Sequence, residues 1–316
     1  MSSRQPLTSL GQIAPTGSNL ERRTSAPPTS SGQHLLQPNR APSTRAHQTI
    51  LVEANSIDRN YLSQVPTNPL RFLLARPLKD VRSVELVSGT VPARPFTLTK
   101  ANNQFTFQQN VGGTLTNTII TIPPAYYTST TLAAALEAAL PTSLDTYTVT
   151  ATTDGFCEIT STGAVTQFAL LFLTGTPQDT LDRWDGFLVQ RNTPDYALGF
   201  DINDYYSQGN KIRSPYTMST AILRLYLYID FENTQSLSAI ERGSGRRPPF
   251  AIIYLDTETN GYKFLNKETI TCASYSLPQP LSRLQAIQID FRDEFYRSVD
   301  FGGHDFALLF QFTVLE

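Results

Sequence analysis

The chain has 316 residues, 40% of them hydrophobic, and a formal net charge of −2. That length suffices for one large domain or two small ones, and the near balance of charge argues against nucleic-acid binding by bulk electrostatics. Two cysteines, Cys157 and Cys272, exclude by number a disulfide framework and a cysteine-built zinc site.

Two buried free thiols are favoured over a single Cys157–Cys272 bridge, which stays open. No segment approaches the ~18 apolar residues of a spanning helix, and the amino terminus lacks the apolar stretch of a secretory signal. No Asn-x-Ser/Thr glycosylation site occurs, so a reducing compartment is expected. With 18 Phe, 14 Tyr and 21 Pro, the composition leans toward an all-β protein.

Residues 1–48 differ from the rest. They hold six prolines, eight serines and five threonines and no Phe, Tyr or Trp. Arg4, Arg22, Arg23, Arg40 and Arg45 stand against Glu21, so this arm carries +4 and the remainder −6. Its few apolar residues lack period and cannot offset the entropy of ordering. A flexible tail, an arm laid across neighbouring subunits and a nucleic-acid tail all stay open, although five arginines are sparse for the last. Residues 49–316 are expected to form the folded domain.

In chain order, Thr49–Glu53 reads as a short strand, and Asn55–Asn60 and Pro66–Pro69 as turns. Leu70–Ala75 and Val81–Pro92 read as two strands, the second stopped by its proline. Strands follow at Gln104–Phe107 and Thr118–Ile122, with Gly112-Gly113 between them. Leu132, Leu136 and Leu140 lie four apart on a helix capped by Ser129 or Thr130 and ended by Pro141. Tyr147–Thr150 and Phe156–Thr160 flank Asp154-Gly155, a hairpin signal. Phe168–Leu173 is a wholly apolar strand. Residues 175–219 read as irregular, with a short helix at Leu181–Val189.

Ala221–Glu232 alternates over ten of its residues, Leu223–Glu232, and is the expected central strand. Leu223, Leu225, Leu227, Ile229 and Phe231 take one face; Arg224, Tyr226, Tyr228, Asp230 and Glu232 take the other. Tyr226 and Tyr228 are thereby expected to face outward, as candidate contact residues. Arg242-Gly-Ser-Gly-Arg-Arg-Pro-Pro249 is an exposed basic loop. Arg242, Arg246 and Arg247 suit an acidic neighbour or a phosphate or lipid head group, with a plain exposed loop as the alternative. Phe250–Asp256 and Tyr262–Leu265 flank Asn260-Gly261, a type I′ turn signal for a hairpin. Ile287–Arg292 alternates, and the chain closes on Phe306, Leu308, Phe310, Phe312 and Val314 at period two. About ten short strands and one helix predict a β-sandwich.

No set of residues points to catalysis. His304 is the one histidine outside the arm, and no Gly-x-Ser-x-Gly elbow accompanies it. His304-Asp305 beside Gly302-Gly303 reads as a turn. Asp300-Phe-Gly302 lacks the companion motifs of a kinase. Asp201-Ile-Asn-Asp begins like a calcium loop but lacks its fifth-position ligand, its glycine and its glutamate. Asp179, Asp182 and Asp185 suit a solvated helix surface. No catalytic residue, metal or cofactor is expected, and a histidine-built metal site on a jelly-roll scaffold has too few histidines.

Several phrases taken together resemble the minor capsid proteins of nucleocytoplasmic large DNA viruses. They are Glu53-Ala-Asn-Ser-Ile-Asp-Arg-Asn, Val84-Glu-Leu-Val-Ser-Gly-Thr-Val-Pro92, Tyr126-Tyr-Thr-Ser-Thr-Thr-Leu132 and Leu198-Gly-Phe200. The resemblance implies an all-β jelly-roll sandwich with a covering helix and an extended amino-terminal arm. It implies no catalysis, and a place in an icosahedral virion shell assembled in the host cytoplasm. Major capsid protein and other minor capsid proteins are the implied partners, together with a homo-oligomer and the proximity of an inner viral membrane. No specific nucleic-acid binding is expected. Vertex (penton) proteins share the same fold and are the alternative within the family. A carbohydrate- or receptor-binding sandwich using Asp204-Tyr-Tyr206 is the alternative outside it.

Overall fold

The computed structural model describes residues 46–58, 69–142, 145–163, 167–175, 183–184, 188–189, 192–231, 248–255, 261–271 and 274–315. The strands are β1 (His47–Asn55), β2 (Leu70–Pro92), β3 (Gln104–Val111) and β4 (Thr114–Thr121), followed by the helix α1 (Ser129–Ala139). After it come β5 (Tyr147–Ala151), β6 (Phe156–Ser161), β7 (Gln167–Leu171), β8 (Arg183–Trp184), β9 (Leu188–Val189), β10 (Asp204–Tyr206) and β11 (Lys211–Thr217). The last are β12 (Arg224–Phe231), β13 (Ala251–Tyr254), β14 (Tyr262–Leu265), β15 (Ile270–Thr271), β16 (Ser274–Arg292) and β17 (Ala307–Leu315). The fold is all-β, a jelly-roll-like sandwich with one short helix.

The largest sheet has the order β1-β17-β2-β16-β12-β13-β15, with β14 also paired to β2. It makes both layers of the sandwich because two of its strands bend. Thr90 of β2 lies opposite Ala307 of β17, yet Phe72 of β2 meets the ring of Phe306 at 6.2 Å. A straight strand would set Phe72 about 60 Å from Thr90. The bend falls around Asp80, at φ 50°, which adjoins the register slip between Ser276 and Leu281 of β16 with its Pro278 and Pro280, and Pro77, which lies in the second slip, between Leu284 and Ala286. Proline offers no ladder donor, and a bulged residue turns the strand, so both strands change layer there. The two strands expected at Leu70–Ala75 and Val81–Pro92 are therefore one bent strand.

Buried apolar side chains form two clusters. The first lies between the layers of the large sheet and holds Phe231, Phe250, Phe310 and Phe312. The second is built from residues between β2 and β12 and holds Phe105, Phe107, Phe168, Phe172 and Tyr147. Two sheets, β10-β7-β3-β4 and β11-β6-β5, contribute to it. Helix α1 covers it with Leu132 and Leu136, which with Leu140 form the expected stripe. Thr128 caps the helix, one residue ahead of the expected Ser129 or Thr130, through a reciprocal pair with Thr131.

Three local expectations are corrected. Within Leu181–Val189 the described residues form the antiparallel pair β8–β9 in place of a helix. The stretch 175–219 supplies β10 and β11, whose pairing with β7 and β6 the short runs Asp204–Tyr206 and Lys211–Thr217 did not announce. Strands β13 and β14 do not form a hairpin. Strand β13 lies between β12 and β15, while β14 joins the end of β2. Gly261 has the positive φ that a tight turn needs, but its carbonyl accepts from Ala93 and brings β14 in beside Pro92.

Candidate functional site

The central strand β12 has neighbours on both sides, β13 and β16. Both of its faces are covered. Tyr226 is 5% and Tyr228 1% exposed, so the outward reading of these two tyrosines is corrected. At Tyr228 the cover is the loop after β16. Tyr228 meets Tyr296 edge-on at 5.5 Å, and the Arg292 guanidinium lies 4.2 Å from the centre of the Tyr296 ring. Tyr296 takes φ 68° to reach this position. A strand read alone cannot show that a loop some seventy residues later will cover it. Leu223, placed by the alternation on the inner face, precedes the strand and is exposed.

That loop is tied down by a buried ion pair. Arg297 donates through Nε and Nη2 to Asp293 Oδ2, each at 2.7 Å, and both residues are buried. Asp293 Oδ1 accepts from the backbone of Phe295 and Arg297, which satisfies the carboxylate within its own turn. Phe295 stacks edge-on against Tyr196, joining the loop to the segment ahead of β10. Burial raises the pKa of the neighbouring Glu294 carboxyl, and the Asp293 charge adds to the effect.

The open side of the sandwich lies between β1 and the first half of β2. Among the described residues, the outer edge of β1 and the edge of β2 over Leu70–Lys79 pair with no strand. Between them is a cleft of about 600 Å³ whose walls include Ile50, Leu51, Phe72, Leu73, Arg71 and Arg76. Leu51 is 58% and Leu73 70% exposed. Large apolar groups left in water beside a cleft, with charges at the rim, are the pattern of a protein contact surface. Arg71, Arg76 and Pro77 on β2 oppose a continuous added ladder, so this cleft suits inserted side chains. The sequence did carry a signal for it. Leu70-Arg-Phe-Leu-Leu-Ala does not alternate, so the strand must present apolar side chains on both faces.

The remaining candidates are dispersed. Arg22, Arg23, Arg40 and Arg45, the basic loop with Arg242, Arg246 and Arg247, Cys272 and Asp179, Asp182 and Asp185 lie outside the described residues. Cys157 carries a free, buried thiol, and burial pushes its pKa up to about 12, with the Glu158 carboxylate adding to the shift. His304 sits in a turn after Gly302 and Gly303, both at positive φ, as expected. Asp204 serves as a local cap, accepting from the backbone of Leu173 and Thr174. Tyr205 packs against Phe172 and Phe200 and donates no platform, which leaves Tyr206 as the one outward ring of the Asp204-Tyr-Tyr206 run. Among the described residues no group of three His, Cys, Asp or Glu side chains could hold a metal, and no helix is long and apolar enough to cross a membrane.

The phrases behind the capsid resemblance occupy demanding positions. Val84–Pro92 is the half of β2 paired to β17, and Tyr126–Leu132 contains the cap of α1. Gly199 has φ 81°, and a Cβ there would collide with the Tyr216 carbonyl oxygen. No protein-family model and no curated protein matches the sequence. Among solved structures, the chain is similar to the mavirus penton protein, with a TM-score of 0.38 and 11% identity over 84% of this chain and 99% of that one. It is also similar to a chain in the 3.5 Å cryo-EM structure of the Sputnik virophage, with a TM-score of 0.31 and 10% identity over 84% of this chain and 98% of that one.

Proposed function

We propose that this chain is a structural protein of an icosahedral virus shell, a minor capsid protein that bridges or cements capsomers through its sandwich and its amino-terminal arm. The observation that carries the reading is the open side of the sandwich, where Leu51 and Leu73 stand in water at the mouth of an apolar cleft. A body that keeps such a surface exposed is built to be covered by a neighbour. The ordered capsid-like phrases support the same reading. In it, residues 1–48 form the arm and 49–316 the body. The partners are major capsid protein and other minor capsid proteins, in the virion, near an inner membrane, with no enzymatic step.

The test mixes the full chain with the major capsid protein of the same virus and follows co-sedimentation. Binding is expected for the native chain and is lost in a Leu51→Asp, Leu73→Asp variant. Both sites are exposed, so the variant keeps its unfolding midpoint to within about 0.5 kcal/mol of stability. A native chain that stays monomeric and shows no affinity for the major capsid protein overturns the reading.

A further inference from the structure

The sheet edges of this chain differ in how they are guarded. An unguarded edge is a template for another strand, so proteins blunt edges with charge, proline, shortness or a cover. Strand β11 carries Lys211, Arg213 and Pro215, and β10 and β15 are three and two residues long. The edge of β5 is covered by α1, whose Glu137 carboxylate accepts from the Val149 N–H at 2.7 Å. Among the described residues, strand β4 has none of these devices. It is eight residues long, Thr-Leu-Thr-Asn-Thr-Ile-Ile-Thr, and ends the order β10-β7-β3-β4. No Asp, Glu, Lys or Arg occurs between Lys100 and Glu137. Leu115 is 59% and Ile119 55% exposed.

The hairpin fixes which backbone groups β4 offers. Gly112 and Gly113, both at positive φ, make a two-residue loop closed by the Val111–Thr114 pair. In such a hairpin the closing pair is hydrogen-bonded, and bonded and non-bonded pairs then alternate. Thr114, Thr116, Thr118 and Ile120 therefore turn their N–H and C=O toward β3. Leu115, Asn117, Ile119 and Thr121 turn theirs outward.

We propose that β4 pairs antiparallel with β4 of a second copy of this chain, about a twofold axis through Asn117. In this register Leu115 faces the second copy's Ile119, Asn117 faces its counterpart, and Ile119 faces the second copy's Leu115. All three are pairs whose backbone groups point outward, so each exchanges two hydrogen bonds. On the other face Thr116 meets the second copy's Thr118. Apolar falls opposite apolar and Thr opposite Thr, which is the self-complementarity that an isologous contact demands. The two four-stranded sheets become one of eight. This proposal stands independently of the shell reading.

The test is sedimentation of the full chain over a concentration series, alongside a Leu115→Lys, Ile119→Lys variant. The native chain is expected to form a dimer whose population rises with concentration. The variant is expected to lose it while keeping the native unfolding midpoint, because both positions are exposed. Cysteine crosslinking checks the register. An Asn117→Cys chain sets two cysteines about 5.5 Å apart between Cα atoms, within disulfide reach, and is expected to crosslink under mild oxidation. A Leu115→Cys chain sets them about 14 Å apart and is expected to stay unlinked. Three results overturn the proposal: a native chain that is monomeric throughout, a dimer indifferent to the two lysines, or crosslinking at Leu115→Cys as ready as at Asn117→Cys.

Discussion

Replacing Tyr228 by alanine separates a buried central strand from one with an outward face. Tyr228 is 1% exposed, lies on the strand between β13 and β16, and meets Tyr296 edge-on. Truncating a buried aromatic ring to alanine costs about 3–5 kcal/mol, because the contacts are lost and the space refills only in part. For a body of this size each kcal/mol lowers the midpoint by about 2–3 °C, so a fall of about 6–15 °C is expected. Calorimetry of the full chain at neutral pH measures it. An outward tyrosine on an unoccupied contact face would change stability by no more than about 0.5 kcal/mol. A midpoint shift below about 2 °C would refute the buried placement and restore the outward one.

Three further outcomes follow from named groups. Cys157 is expected to resist thiol reagents in the native state and to react on unfolding, read by mass spectrometry of its own peptide so that Cys272 does not confuse the result. Its folded pKa of about 12 stands above its ordinary 9.0, so its contribution is fully present below about pH 9 and is lost as pH rises toward 12. Glu294 has a raised folded pKa, so the stability it contributes is present at low pH and lost as pH rises through that value. A Glu294→Gln chain is expected to show a smaller fall in midpoint between pH 4 and pH 8 than the native chain. Thr128→Ala removes the acceptor for the Thr131 N–H and is expected to cost about 1 kcal/mol, measured by urea unfolding.

Period two was readable wherever one face met the core and the chain did not bend. Strand β17 follows its sequence pattern, whereas Ile287–Arg292 of β16 alternates in sequence but is buried on both faces, Asp290 included. Helix α1 follows its pattern too, because leucines four apart, a threonine-rich start and a following proline are all local signals. What could not be read depends on distant partners. The burial of Tyr228 comes with Tyr296 of the loop at 293–298, and the pairing of β14 comes from β2. The cleft between β1 and β2 requires the bend at Pro77–Asp80, which brings the two strand edges to the same side. Alternation within a strand cannot report how far that strand turns.

The place of β17 also orders events in a growing chain. It sits between β1 and β2, with Leu315 opposite His47 and Val314 opposite Val81. These two earlier strands must wait until Ala307–Leu315 has left the ribosome before the layer that contains them can close. The aromatic cluster built by Leu98–Met218 has no such wait, since every residue it needs has emerged roughly a hundred positions earlier. The nascent molecule thus carries a finished lobe while β1 and β2 still lack the strand that joins them.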